Sequence, residues 1–226
     1  MPHASFMLPA AAQWDSRSIM PVKPRKSAKQ ERSQGTIDVL LEATARIVGQ
    51  VGLDQATTNR IAEVAGVSIG SLCQYFPGKA SLLAALIERE ARGDLAHLRT
   101  VFDEARELSL LGALERAVSE LVGRHARNPG LYRWMLRYVP ELGQHDKIRA
   151  VAAEGRALLR DFLVQRKGEL GAGVEPAFAA LLIGSAIEAS IHAALFERPE
   201  TLADGTLVRE LMRLCAGYLN GPTART

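Results

Sequence analysis

Between Ala65 and Phe76 the chain runs Ala-Gly-Val-Ser-Ile-Gly-Ser-Leu-Cys-Gln-Tyr-Phe, a turn signal followed by side chains suited to touching another molecule. If the second part is a helix, Leu72 and Phe76 lie four apart and pack inward. Ile69, Gly70, Ser71, Cys73, Gln74 and Tyr75 then face outward or sideways. Amide, hydroxyl, thiol and apolar groups stand together there, a set that hydrogen-bonds and packs. Gly70 costs about 0.5–1 kcal/mol against alanine inside a helix, so its presence implies that another backbone comes close.

The elements around this stretch serve to aim it. Thr57 or Thr58 can cap a short helix whose Ile61, Ala62 and Ala65 form one narrow apolar face. Gly66 suits the left-handed turn that ends a helix, Val67 buries the turn, and Ser68 is placed to cap the next helix. Two helices joined so tightly make a helix-turn-helix, at about residues 57–76. Residues 33–51 read as a supporting helix, with Ile37, Leu40, Leu41, Ala43, Thr44 and Ile47 at helical spacing. Beyond Phe76, the Pro77-Gly78 turn places Lys79 in the first turn of a further helix that continues through Leu82, Leu83, Leu86, Ile87, Leu95, Leu98 and Phe102. An ammonium and free backbone N–H groups meet there, a combination that suits a phosphate.

Thr57-Thr58, Ile61-Ala62, Ala65-Gly66-Val67-Ser68, Gly70, Leu72, Tyr75-Phe76, Lys79 and Leu82 together resemble the DNA-binding domain of the tetracycline-repressor (TetR) family. The likeness covers about residues 33–90, and beyond it only the helical pattern is similar. The resemblance implies that Thr58, Ile69, Gly70, Ser71, Cys73, Gln74, Tyr75 and Lys79 form the DNA-binding face. By its pattern Gln74 addresses adenine, Ile69 a thymine methyl, Ser71 a base or phosphate, and Tyr75 and Thr58 phosphates. Cys73 departs from the family, which usually carries an aromatic after the leucine. Its oxidation would add bulk to a DNA face, but it lacks an obvious basic neighbour to lower its pKa.

Charge supports a nucleic-acid partner through its distribution. Residues 21–80 hold eight basic against five acidic residues, while the rest of the chain balances. The excess sits in a proline-containing arm with Lys23, Arg25 and Lys26, which can follow phosphates or enter the minor groove, or be a plain solvated tail. Residues 1–20 lack the basic start of a signal peptide and read as a leader, with Met20 a second possible start. No uninterrupted apolar run reaches the roughly 18 residues of a membrane span. Two cysteines, Cys73 and Cys215, make neither a disulfide framework nor a metal spacing, which fits a reducing compartment. We therefore expect a cytoplasmic protein with no membrane partner.

From Leu108 onward every segment has helical spacing, with helices near 108–126, 129–138, 141–167, 175–197 and 206–219. The expected fold is all-α: a leader and basic arm (1–32), a three-helix helix-turn-helix head (33–93) and a larger helical ligand-binding and dimerisation domain (94–226). Residues 175–197 are rich in alanine, glycine and serine, which allows close helix approach. With 206–219 they can form half of a symmetric four-helix interface or lie buried in a monomeric bundle. The resemblance favours a homodimer.

The expected function is a ligand-responsive transcriptional regulator, a repressor by family analogy, that binds a palindromic double-stranded DNA operator as a homodimer. A small apolar or amphipathic effector in the body releases it. Trp134, Tyr138, Phe162, Glu188 and His192 are candidates for its pocket, although an aromatic stripe at helical spacing is more often plain core. Glu188 and His192, four apart, also suit two metal ligands, and the alternative is an all-helical metal-binding protein or enzyme built on that pair. With no nucleophile–base pairing, phosphate loop or His/Cys cluster in sight, no catalytic residue, metal site or cofactor is expected.

Overall fold

The computed structural model describes residues 31–221, and the arm residues Lys23, Arg25 and Lys26 lie outside them. Among the described residues the chain is helical: α1 (Glu31–Val51), α2 (Thr58–Ala65), α3 (Ile69–Tyr75), α4 (Lys79–Glu104), α5 (Leu110–Arg127), α6 (Pro129–Tyr138), α7 (His145–Gln165), α8 (Pro176–Glu197) and α9 (Thr206–Leu219). Local chemistry sets most of these boundaries. The Thr57 hydroxyl accepts from the Arg60 N–H at 3.2 Å, and Ser68 accepts from the Ser71 N–H at 3.0 Å. Gly66 ends α2 at φ 69° and ψ 28°, the left-handed conformation that a glycine adopts without penalty. Asn128 caps α6 directly before Pro129, and Glu175 caps α8 through the N–H groups of Ala177 and Phe178.

The largest departure from the sequence pattern is the start of one helix, the other ends shifting by no more than two residues. Helix α7 begins at His145, four residues later than the pattern predicts, because residues 139–144 close a turn in which Gly143 takes φ 62° and the Gln144 N–H bonds the Val139 carbonyl at 3.1 Å. The side chain of Gln144 is buried there with its amide donating to the Leu142 carbonyl at 3.0 Å. A helix continued through these residues would forfeit that arrangement.

Helices α1 to α3 form the head around Leu40, Ile61, Leu72 and Phe76, and α4 carries the same core onward through Leu82, Leu86 and Ile87 into the body. Full burial of one leucine contributes about 1.5–3 kcal/mol, so this shared core binds head to body firmly. A second junction needs no side chains. Gly130, in the first turn of α6, faces Gly49 on α1, and a Cβ at Gly130 would overlap the Gly49 carbonyl oxygen. In the body, α7 packs along α8 and α5 along α9. The guanidinium of Arg166, at the end of α7, donates to the carbonyls of Arg106 and Leu108 at 2.5 Å and so ties the α4–α5 link to α7.

The glycine junction gives a direct test. Gly130→Ala is expected to lower stability by about 1–3 kcal/mol through overpacking against backbone. Gly35→Ala on α1, where a Cβ meets nothing within 4 Å, should instead add about 0.5–1 kcal/mol. Urea unfolding midpoints of the two variants check both.

Candidate nucleic-acid interface and internal cavity

Helix α3 is a seven-residue helix anchored on one side only. Leu72 is 0% exposed and Phe76 4%, whereas Ile69 is 43% exposed with Gly70, Cys73 and Gln74 beside it at the surface. Tyr75 is half-buried against the head core, with its ring supported from beneath. The apolar anchor therefore fixes the helix while its outer face stays open for contact. The nearest atom to a Cβ built on Gly70 is the Ser68 hydroxyl at 3.8 Å, so nothing inside the chain requires a glycine there. Ser71 shares a hydrogen bond with Ser68 at 2.9 Å, which engages its hydroxyl in the cap.

Thr58 and Lys79 open the two neighbouring helices, α2 and α4. Thr58 is the first residue of α2, while the capping role falls to Thr57. The Lys79 ammonium donates to the Leu53 carbonyl at 2.8 Å and so fastens the α1–α2 link to the start of α4. Burial lowers the Lys79 pKa and nearby Asp54 partly restores it. One of its three N–H donors is thus committed inside the protein, leaving two for an outside acceptor.

Within the body a cavity of about 240 Å³ lies between α4, α5, α6, α7 and α8. Its walls are mostly aliphatic, from Leu95, Leu98, Val118, Leu121, Ile148, Val151 and Ile191, with Phe102 and Met135 among them. Asp94, His125, Tyr132, Arg156, Glu188 and His192 supply polar groups. Asp94 pairs with the Arg124 guanidinium and accepts the Tyr132 hydroxyl at 3.3 Å. Burial pulls the Arg124 pKa down, but its bond and charge interaction with Asp94 leave it above the ordinary value. Burial, aided by Asp94, holds the Tyr132 phenol far above its usual pKa.

Both cavity histidines are shifted toward the neutral form. Burial lowers the His125 pKa against the opposing pull of the Leu121 carbonyl and Asp94, while Arg124 adds to the lowering. Burial also lowers that of His192, with Glu188 opposing and His125 assisting.

Of the five pocket residues expected from sequence, Glu188 and His192 line the cavity and Trp134, Tyr138 and Phe162 do not. Tyr132, Met135, Leu136 and Val139 form the cavity face of α6, and Trp134 and Tyr138 stack on each other at 5.8 Å on its opposite side. Phe162 stacks at 4.6 Å on Phe102, which does reach the cavity. Asp94, His125, Tyr132 and Arg156 were not singled out by sequence. A faint signal existed: Asp94 and His125 each interrupt an apolar helical stripe, Leu95-Leu98-Phe102 and Val118-Leu121 respectively. Glu188 and His192 lie in the cavity wall, and among the described residues no group of three or more His, Cys, Asp or Glu side chains gathers to hold a metal ion.

A one-sided helix-turn-helix head, joined through a long helix to an all-helical body with an internal cavity, defines an all-α DNA-binding regulator architecture. The sequence matches the family model described as "Bacterial regulatory proteins, tetR family" over residues 40–86, and "Tetracyclin repressor-like, C-terminal domain" over 109–219. The chain belongs to the TetR family of transcriptional regulators.

Among similar proteins, the nucleoid occlusion factor SlmA of Haemophilus ducreyi is 32% identical over 110 residues, covering 49% of this chain and 52% of that protein. SlmA of Actinobacillus pleuropneumoniae is 30% identical over 131 residues, covering 58% and 61%. The match thus spans between about half and three fifths of these relatives' length. The fold is shared with the fatty acid degradation regulator FadR from Bacillus halodurans, with a TM-score of 0.66 at 22% identity over 84% of this chain and 98% of that one. FadR from Bacillus subtilis, solved in complex with stearoyl-CoA, gives 0.60 at 18% identity over 82% and 99%.

The histidine shifts set a pH dependence. A base whose folded pKa is depressed binds fewer protons in the folded state than in the unfolded chain, so stability falls once pH drops below the unfolded value of about 6.5. The melting temperature is therefore expected to hold from pH 8 to about pH 7 and decline below pH 6.5. A His125→Phe, His192→Phe double variant should flatten the decline, as melting curves across that pH range will show.

Proposed function

We propose that the protein acts in the cytoplasm as a homodimeric, ligand-responsive repressor that binds a palindromic DNA operator through α3. The observation that carries the reading is the open face of α3, where Gly70 leaves room that nothing within the chain uses. A recognition helix pressed into a major groove needs a spot without a side chain where the DNA backbone comes close. In this reading Ile69, Cys73 and Gln74 meet base edges, while Thr58, Ser71, Tyr75 and Lys79 address bases or phosphates from the flanks. Residues 1–32 supply the basic arm with Lys23, Arg25 and Lys26, residues 33–93 the head, and 94–226 the body that holds effector and partner.

The outer face of α8 supports the dimer. This helix is long and apolar enough to cross a membrane by length and composition, yet its polar neighbours and its packing on α5, α6, α7 and α9 belong to a bundle. Phe178 (55% exposed), Leu181, Leu182 and Phe196 (57%) are left at the surface, with Ser185, Ala189 and Ala193 between them. Large apolar ends around a small-residue centre allow a second α8 to cross closely, with Leu214 of α9 at the edge. The cavity between five helices, including α4 and α6 that contact the head, suits an effector that favours one head placement over another.

Mobility shifts with the DNA upstream of its own gene, at stated salt, test the reading. Specific binding is expected, and Gly70→Ala should weaken it at least about tenfold while leaving stability equal or higher by about 0.5–1 kcal/mol. Ala189→Arg should produce monomers by light scattering and abolish the shift. A Gly70→Ala protein that binds as tightly as the parent would remove α3 from the interface.

A further inference from the structure

His125 is a buried polar group in the cavity wall, held by a hydrogen bond and by a stacked ring. Its Nδ1 lies 2.9 Å from the Leu121 carbonyl oxygen, which can only accept, so Nδ1 carries a proton. Its ring stacks on Tyr132 at 3.9 Å between centroids, which fixes the ring plane. Tyr132 is in turn held by its hydroxyl on Asp94. Burial shifts the imidazole toward its neutral form, and a neutral ring protonated at Nδ1 presents a lone pair at Nε2 on the opposite edge. Among the described residues no donor is hydrogen-bonded to that atom.

The remaining charged groups of the wall balance once Arg124 is counted with Asp94. Asp94 is answered by Arg124 and Tyr132. Arg156 and Glu188 are half-exposed and bring one charge of each sign, and the Arg156 stem lies across Gly184 on α8. His192 is shifted toward neutral like its neighbour. Size narrows the choice further. A cavity of about 150 Å³ holds benzene and drug-sized ligands need about 300–1,000 Å³, so about 240 Å³ suits one substituted ring.

We infer that the cavity takes a compact, uncharged, largely apolar ligand, of the size of an alkylphenol, that donates one hydrogen bond to Nε2 of His125. This deepens the effector reading above and rests on it. The aliphatic walls supply affinity without direction, and the single fixed acceptor supplies orientation.

Titration calorimetry of the full chain tests this with 4-ethylphenol, ethylbenzene, 4-ethylbenzoate, 2-phenylethylamine and stearoyl-CoA. The phenol is expected to bind at least about tenfold tighter than ethylbenzene, the value of roughly one buried hydrogen bond. His125→Phe, which keeps a ring against Tyr132, should bring the two within about twofold. If that variant does not fold, the phenol-to-ethylbenzene ratio of the parent protein decides alone. Equal affinity for those two overturns the inference. Tighter binding of the benzoate, the amine or stearoyl-CoA also overturns it, while leaving the cavity as an effector site of other chemistry. Failure of every compound to bind overturns the inference alone, since the effector reading does not depend on a ligand of this size and polarity.

Discussion

The structure turns on the approach of α6 to α1, where Gly130 rests against the backbone of Gly49 with no space for a methyl group. Backbone packed on backbone cannot yield as a side chain does, because neither partner has a rotamer to change. A shift of α6 therefore moves α1 or opens the junction. The same short helix presents Tyr132, Met135, Leu136 and Val139 to the cavity. Cavity and head thus share a rigid element of ten residues. Helix α4 is the second shared element, with Leu82 and Leu86 in the head core and Leu95 and Leu98 at the cavity. On the proposed function, an effector acts through these two elements by its difference in affinity between head placements and by nothing more.

The head itself illustrates how a contact surface is kept both rigid and free. A helix as short as α3 is unstable alone, since nucleation costs more than two turns return. Its order comes from Leu72 and Phe76 below, from the Ser68 cap at its start and from Gly66 before it. With order supplied from beneath, the outer residues carry no structural duty, and their identities are free to follow an external partner. Ser71 is an intermediate case, because its hydroxyl already meets Ser68. The Lys79 ammonium is another, since the bond to Leu53 positions the charge beside the turn that leads into α2.

The head was legible in the sequence because its signals are local. Thr57, Gly66 and Ser68 set caps and turn within a few residues of where they stand, and the structure follows them. The start of α7 was not legible, since helical spacing runs on through residues 141–144 and does not show that Gly143 turns left-handed or that the Gln144 side chain is buried. The cavity was legible only in part. Helix α6 is apolar on both sides, with Trp134 buried on one and Tyr132 and Met135 on the other. Periodicity shows that such a helix is buried but gives no phase, so large aromatics drew attention to the side away from the cavity. His125 escaped notice for the related reason that a single histidine in an apolar stripe gains its meaning from Tyr132, Asp94 and His192 on other helices.

Helix α8 joins these themes. One face of it, through Gly184, Ile187, Glu188, Ile191 and His192, closes the cavity, and the other exposes Phe178, Leu182 and Phe196. A helix apolar all round belongs in an interior, so its exposed face is an interior that a single chain leaves unfinished. In the proposed dimer the partner completes it, and the wall of the effector cavity becomes the back of the subunit interface. Whatever occupies the cavity then presses on two boundaries at once: α6 toward the head of its own chain, and α8 toward the other chain. Two heads held by one interface must keep a fixed separation to meet successive major grooves of a palindrome. In that dimer a displacement of α8 would alter the separation of both heads together, which is the route by which an occupant of the cavity would govern operator binding.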